Sequence, residues 1–355
     1  MTWSYDWLTA SQDHASGCPI FGSDLVITTD VDTGEYKRER VDGFQHEGSY
    51  DTSIRIRSDG HRVEVSGNPS RFGRPDNVFG FQSMDDCMAL YNSLLVEHGL
   101  PPFTKGDAWD TQAGNVKILD GCRFSRVDLN RNYQAGSASA ASMALRGLSA
   151  CSRRGKPWQT DANGSVTTGN KKYMHLTYYA KGPEMKAHGN SNACKCPERH
   201  QVMDWCNEVG LIRFEAKFGR NYLIQNKLNG WILWSETRAR EIAASYDKVN
   251  EMTFATTDYQ HIADDLEHKF EFKRNRALKA QHAALAWLSG EDLRQSMSKS
   301  AFYRVTADLA VVGIDARAPC NVATLPVRVR VVDLRPAEVP SWYQKPERPF
   351  LRLVA

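Results

Sequence analysis

With 355 residues, 41% of them apolar and 25% charged, the chain is long enough for two or three domains and ordinary for a globular protein with its own core. A net charge of +3 excludes a protein that coats nucleic acid by charge alone, but not one with a local basic groove. The first 25 residues hold three aspartates and no lysine or arginine, which predicts no secretory leader, and no apolar run approaches the roughly 20 residues of a membrane span.

The eight cysteines are scattered, as expected for reduced thiols in a cytosol. Cys194, Cys196, His200 and Cys206 lie closer together and have the residue types of a zinc site. Their spacing fits none of the common structural zinc patterns, and ordinary loop thiols are the competing reading.

In chain order, Leu25–Thr29, Thr52–Arg57 and Arg62–Ser66 alternate apolar and polar side chains and are expected to be strands. Met84–Gly99 has helical spacing, with Cys87, Leu90, Tyr91, Leu94 and Leu95 on one stripe and Gly99 as a stop. Ser137–Leu148 is alanine-rich and predicts a second helix. Cys151–Gly169 is polar, basic at its start, and reads as a loop or hairpin. Strands follow at Arg123–Asn130, Tyr173–Lys181 and Leu211–Phe218, with Asp204–Gly210 ending a helix before the third. Beyond Trp234 helical patterns dominate to about Val312, and Pro326–Leu334 reads as one more strand. The expected organisation is a catalytic core over residues 1–235, β-rich over residues 1–83 and carrying the active site over residues 84–235. A helical domain is expected over residues 236–355.

Side chains alternate between the two faces of a strand. On that basis Val127 and Leu129 share one face, with Phe124, Arg126, Asp128 and Asn130 on the other. Met174, Leu176, Tyr178 and Ala180 form an apolar face opposite Tyr173, His175, Thr177, Tyr179 and Lys181. Ile212, Phe214, Ala216 and Phe218 oppose Arg213, Glu215 and Lys217. If the three strands are neighbours, Asp128, His175, Tyr179, Lys181 and Glu215 share one surface. Periodicity alone favours the plainer reading, solvated faces of an amphipathic sheet with incidental ion pairs.

Such a set has a specific chemistry. Carboxylates are hard oxygen ligands for Mg²⁺ or Mn²⁺, and such an ion polarises a scissile phosphate. A tyrosine hydroxyl, whose ordinary pKa is near 10, needs a neighbouring cation such as Lys181 or a metal to act as a nucleophile.

At several points the chain resembles the gene II replication initiators of filamentous phages, the phage/plasmid replication protein II/X family. The likeness lies in Asp6-Trp7-Leu8-Thr9, Glu47–Asp51, Val65–Pro69, Asn77–Gly80, Ser125–Tyr133, Tyr179–Glu184, Gly210–Lys217, Val331–Leu334 and Trp342-Tyr343, in a common order over most of the chain. It departs from the family at Arg74-Pro75-Asp76, where a glycine-histidine pair is usual. The His-x-His metal motif of distant rolling-circle initiators is missing.

The resemblance implies an α+β fold, with a central antiparallel sheet like that of rolling-circle initiator nucleases and a mainly helical C-terminal domain. It implies nicking of the plus strand of double-stranded replicative-form DNA at its origin, a 5′-phosphotyrosine, priming from the 3′-hydroxyl, and later rejoining of the displaced strand. Tyr179 falls on the nucleophile of the family's Y-x-K segment, and Tyr173 and Tyr178 are the alternatives. Arg126 and Lys181 would stabilise charge. Asp128 and Glu215 would hold Mg²⁺ or Mn²⁺, with Glu184 and His175 completing the set. The implied setting is the cytoplasm of the bacterial host, without membrane association. The implied partners are host helicase and replicative polymerase, with self-association on DNA. The family also makes a shorter product from an internal start, for which Met252 and Met297 are candidates.

For DNA contact the candidates are Arg153 and Arg154 in the loop, Lys273, Arg274 and Arg276 in a basic run, and Arg304. Charge runs are also common on solvated helix faces. Glu291–Met297 and Ala301–Val312, with Ser300 as cap and Gly313 as stop, fit a helix-turn-helix with Tyr303, Arg304 and Asp308 outward. They fit a purely structural hairpin equally well. The rivals to a nicking enzyme are a non-catalytic origin-binding regulator and a single-strand binding module that stacks bases on sheet-face aromatics.

Overall fold

A computed structural model of the chain describes residues 3–110, 116–149, 152–153, 156–187, 196–249, 254–257, 262–312, 314, 316–317 and 329–347. Two compact units are present, residues 1–252 with 334–355, and residues 253–333. The expected boundary near 235 falls inside the first unit, where Ser235 caps a helix instead of ending a domain. The last stretch of chain also belongs to the first unit. Arg335–Pro336 pairs with Tyr133–Gln134, and the Tyr343 ring meets Phe79 edge-on at 5.1 Å.

The first unit is built on an eleven-stranded antiparallel sheet, so the expected α+β class holds. Its principal strands are β1 (Ser4–Asp13), β2 (Thr52–Asp59), β3 (Arg62–Gly67), β4 (Arg123–Gln134), β5 (Val166–Asn170), β6 (Met174–Ala180) and β7 (Leu211–Gly219). Their order across the sheet is β5-β6-β7-β4-β1-β3-β2. The three strands expected to carry the reactive face are therefore adjacent, and Tyr178–Tyr179 and Glu215 sit on neighbouring strands because of it.

Helix α1 (Met84–Glu97) starts where the Ser83 side chain accepts the Asp85 N–H and stops before Gly99, whose φ of 67° suits glycine. Its buried stripe of Cys87, Met88, Tyr91, Leu94 and Leu95 belongs to the core. The Tyr91 hydroxyl donates to the Leu8 and Gly67 carbonyls at 2.8 and 3.1 Å, which ties the helix to β1 and β3. Ile54, Ile56, Val63, Val65, Val127, Leu129, Leu176 and Phe214 are all 1% exposed or less and form the apolar face. Each fully buried aliphatic or aromatic side chain stabilises the fold by roughly 1.5–3 kcal/mol.

Strand β1 carries no clean alternation, because its register against β4 shifts twice. Between Tyr5 and Leu8 two residues, Asp6 and Trp7, oppose the single residue Asp128, so the insertion turns both toward the polar face. Between Thr9 and Ala10 the extra residue is on β4, where Arg126 pairs with Thr9 and Phe124 with Ala10. That second shift corrects the expectation for Phe124. It is 2% exposed and packs on the Trp234 ring, not beside Arg126.

Helices α2 (Ala138–Ser149), α3 (Lys181–Ala187), α4 (Pro197–Glu208), α5 (Arg220–Gln225) and α6 (Glu236–Ser245) complete the first unit. Trp231 and Trp234 are structural, donating through their indole nitrogens to Asp85 at 2.7 Å and Tyr5 at 2.8 Å. The less favoured alternative, a zinc site at Cys194, Cys196, His200 and Cys206, is not assembled among the described residues. Cys194 lies outside them, and Cys196 precedes the first turn of α4 while Cys206 is buried in its last, about ten residues or 15 Å along the axis.

In the second unit, strands β8 (Phe254–Thr257) and β9 (Val329–Val332) pair antiparallel. The expected strand at 326–334 is thus described only over β9. Helices α7 (Ile262–Phe270), α8 (Arg274–Leu288), α9 (Leu293–Ser296) and α10 (Lys299–Val311) share a core that includes Leu266, Ala284, Trp287, Phe302 and Leu309. Ser298, not Ser300, caps α10 by accepting the Ala301 N–H. Asp308, expected to face outward, is 3% exposed and receives a bidentate ion pair from Arg276. Among the described residues no helix is long and apolar enough to cross a membrane.

Candidate active site

The registers of β6, β7 and β4 set the polar face out in three rows. Tyr179, Arg213 and Asn132 stand directly opposite one another; so do Thr177, Glu215 and Asn130; and so do His175, Lys217 and Asp128. Charge alternates along β7, and each charged group finds a neighbour of opposite sign within one strand spacing.

The first two rows hold the tyrosine. The Tyr179 hydroxyl donates to Glu215 Oε1 at 2.5 Å, while Lys217 Nζ lies 3.3 Å from Glu215 Oε2. Lys181 Nζ is 5.7 Å from the Tyr179 ring centre and 2.7 Å from Glu184 Oε2, on the first turn of α3. That helix sits close to α4 because residue 182 is glycine, and a Cβ there would lie 2.0 Å from the Asn207 side chain. Tyr179 lines a cleft of about 600 Å³ together with Leu145, Ser149, Asn163, Pro183 and Glu184.

Burial pushes the Tyr179 phenol well above its ordinary pKa, and the Glu215 carboxylate adds to the shift. Burial would raise Glu215 as well, but Lys217, Arg213 and the Tyr179 hydroxyl hold it below the usual carboxylate range. The resting site is therefore a neutral phenol hydrogen-bonded to a carboxylate.

The third row is different. Asp128 is 1% exposed, accepts two bonds from Arg126 at 2.9 and 2.6 Å, and is pushed up to about 6 by burial, against the pull of Arg126. His175 bonds Thr177 at 3.3 Å and is held below its ordinary pKa by burial and by Lys217.

The two alternative tyrosines are elsewhere. Tyr178 is fully buried on the opposite face, where its hydroxyl donates to Asp247 at 2.7 Å. Tyr173, expected on the reactive face, lies in the turn before β6, where strand parity does not reach. It packs edge-on against Tyr222 at 5.1 Å and hydrogen-bonds Gln225.

Two charged residues outside the expected site belong to this surface. Arg213 is fully buried, donating to Asn132 Oδ1 at 3.0 Å and to the carbonyls of Asn77 and Val78 at 2.6 and 2.8 Å. Its Nη1 is 4.0 Å from Asp6 Oδ1, which accepts from Asn68 at 2.5 Å and Asn77 at 2.7 Å. Three of the short motifs thus converge on one carboxylate. Alternation already placed Arg213 on the polar face, whereas for Asp6 the motif was the only signal, because the register shift breaks the alternation there.

Among the described residues no three His, Cys, Asp or Glu side chains are gathered so that they could hold a metal ion. The donor chemistry nonetheless suits Mg²⁺ or Mn²⁺, because Asp128 and Glu215 are hard-oxygen ligands one row and one strand apart. Each is now neutralised by a cation, Arg126 or Lys217, which a divalent ion would displace. Glu184 is engaged by Lys181, and His175 faces Lys217 across the strand pair.

The expected DNA-contacting residues fare unevenly. Arg154 lies outside the described residues, and Arg153 lies in a short strand, Ser152–Arg153, paired with Lys156–Pro157. Arg274 is held by Asp264 and Glu267, both at 2.7 Å, and Arg276 by Asp308. Lys273 caps α8, and Arg304 is exposed on α10.

Fold and site together define an α+β protein whose sheet carries one apolar face and one face of interlocked acids, bases and a tyrosine. Residues 5–246 match the N-terminal region of the replication-associated gene II protein family, and residues 268–349 match the family's C-terminal region. A relative from Escherichia phage If1, itself a replication-associated protein of this type, is 30% identical over 319 residues, covering 83% of this chain and 97% of its own. The chain belongs to the replication-associated gene II protein family, as its motifs implied. No solved structure matches it.

Proposed function

We propose that the chain initiates rolling-circle replication by nicking the plus strand of phage replicative-form DNA, with Tyr179 as the nucleophile. The observation that carries this reading is the hydrogen bond from the Tyr179 hydroxyl to Glu215, in a tyrosine that lines an open cleft. A phenol that only filled the core would face inward, as Tyr178 does.

The chemistry follows from the contacts. As the Tyr179 oxygen approaches a phosphate in the cleft, its proton passes to Glu215 Oε1, which is already at hydrogen-bond distance. A bond forms from the tyrosine oxygen to phosphorus and the bond to the 3′ oxygen breaks. The leaving oxygen takes up one proton, so the products are a 5′-phosphotyrosine and a free 3′-hydroxyl. Lys181, held over the ring by Glu184, offsets the charge that develops on the phenol oxygen. Lys217 keeps Glu215 ionised and ready to accept the proton. Arg126 is partly exposed and available to the incoming phosphate backbone. Mg²⁺ or Mn²⁺ held by Asp128 and Glu215 would neutralise charge on the scissile phosphate. The ester conserves the bond energy, so a later attack by a 3′-hydroxyl can rejoin the strand.

The test is incubation of the protein with supercoiled replicative-form DNA, with and without Mg²⁺, for the wild type and Tyr179→Phe. Open circles carrying protein on a 5′ end, formed only by the wild type and lost on chelation, are the expected result. Origin binding without any nick, in Mg²⁺ and in Mn²⁺, would replace this reading with that of an origin-binding regulator.

A further inference from the structure

The register shift in β1 has a second product besides Asp6. It places the indole of Trp7 on the polar face, level with Asp128, whereas unbroken alternation from Tyr5 would put it on the apolar face. The indole is fixed there. Its Nε1 donates to Ser66 Oγ at 3.2 Å and to Thr9 Oγ1 at 3.3 Å, and those two hydroxyls bond each other at 2.8 Å. The Arg126 guanidinium lies 4.9 Å from the ring centre and is itself clamped by both oxygens of Asp128. Trp7 remains partly exposed, and the Arg126 side chain is 40% exposed.

This arrangement costs burial of an aspartate on behalf of an arginine that stays at the surface, and it leaves a large aromatic side chain on the wet side of the sheet. Neither helps the core. Asp128 fixes the orientation of the Arg126 guanidinium, and the indole N–H is already satisfied. The guanidinium lies over the indole ring, so what remains open to a ligand is the outer side of that guanidinium plane, backed and oriented by the indole. Such surfaces take unpaired nucleobases, since a base within a duplex has no free face to offer.

We propose that Trp7 and Arg126 form a stacking platform for an unpaired nucleobase of the strand being nicked, so that the DNA is locally melted where it crosses the sheet. The proposal rests on the reading of Tyr179 as nucleophile. From Trp7 to Tyr179 the path crosses β4 and β7 to reach β6 and covers two rows, about 20 Å at ordinary strand spacing and rise. The stacked base is therefore a few nucleotides from the scissile phosphate, not next to it.

The experiment uses the full chain carrying Tyr179→Phe and a single-stranded oligonucleotide of the plus-strand origin, with one abasic site moved stepwise to either side of the nick. Binding is read by fluorescence anisotropy. With Trp7 present, one abasic position a few nucleotides from the nick is expected to weaken binding about five- to a hundredfold. Trp7→Ala should bind the intact oligonucleotide more weakly by the same factor and show no penalty at that position; Trp7→Phe should restore part of both. An abasic profile identical in Trp7→Ala and its parent overturns the platform, as does a flat profile in the parent. Trp7→Phe keeps the question answerable if Trp7→Ala does not fold. Binding does not require cleavage, so failure of the nuclease reading shows separately, as supercoiled DNA left uncut by the wild type.

Discussion

The hydroxyls of Tyr178 and Tyr179 project to opposite faces of one strand, and each meets a carboxylate there: Tyr178 donates to Asp247 at 2.7 Å and Tyr179 to Glu215 at 2.5 Å. The sequence neighbours are chemically alike and functionally unalike. Tyr178 shares Asp247 with Tyr133 and also accepts the Lys248 N–H at 2.7 Å, a buried network with no route to solvent. Removing its hydroxyl takes the side-chain acceptor from the Lys248 N–H and one of two donors from Asp247 Oδ1. Tyr178→Phe is expected to lower stability by about 1–3 kcal/mol in urea denaturation while leaving DNA cleavage intact. Tyr179→Phe should do the reverse, abolishing cleavage with little change in the denaturation midpoint.

Glu215 has two oxygens with two tasks, Oε1 for the tyrosine and Oε2 for Lys217. Glu215→Gln keeps the size and removes the proton acceptor. Nicking should slow by roughly 10²–10⁴-fold, the usual range for loss of a general base, with the affinity for origin DNA little changed. A band-shift titration run beside the nicking assay separates the two. Loss of DNA binding in step with cleavage would instead assign Glu215 a structural role.

Asp128 keeps its proton to a higher pH than a surface carboxylate. Burial raises it to about 6 from an ordinary value of 3.8. A raised folded-state pKa means that the contribution to stability is fully present below about pH 4 and is lost as the pH rises through about 6. The loss should be on the order of 3 kcal/mol, from a shift of about two units. Asp128→Asn is expected to abolish that part of the slope when unfolding free energy is followed between pH 4 and pH 7. An unchanged slope in the variant would assign the dependence to other groups.

In the second unit, Arg276 and Arg304 come from the same expectation of DNA contact, yet they differ. Arg276 is clamped to Asp308, and Arg304 stands exposed on the same helix as Asp308. In the full-length protein Arg304→Ala should reduce the salt dependence of DNA binding by about one charge. Arg276→Ala should leave the salt slope alone and lower the melting temperature, because Asp308 would be left buried without its cation. Salt titrations of binding, paired with thermal melts, distinguish the two roles.

Much of the site was legible because strand side chains repeat every two residues. Alternation over β4, β6 and β7 put Asp128, Tyr179 and Glu215 on one face and Tyr178 in the core, and the register bears that out. Where the repeat is broken, the reading failed. Phe124 changed faces at a register shift, and Tyr173 fell in a turn. On α10 the expected stripe misplaced Asp308, because a carboxylate can be buried when an arginine from another helix reaches it.

By itself the sequence determined the class of fold, the existence of a polar face, the placing of Tyr179 on that face and of Tyr178 in the core, and membership of the gene II protein family through motifs spread along the chain. All of these rest on local periodicity or on linear order. Only the tertiary structure decided that β1 runs through the middle of the sheet, that its inserted pair turns Asp6 and Trp7 toward the polar face, and that Asn68, Asn77 and Arg213 close around Asp6. The physical reason is that a bulge erases the two-residue signal where it occurs. A hydrogen bond between residues more than 60 positions apart leaves no trace in the pattern of either segment.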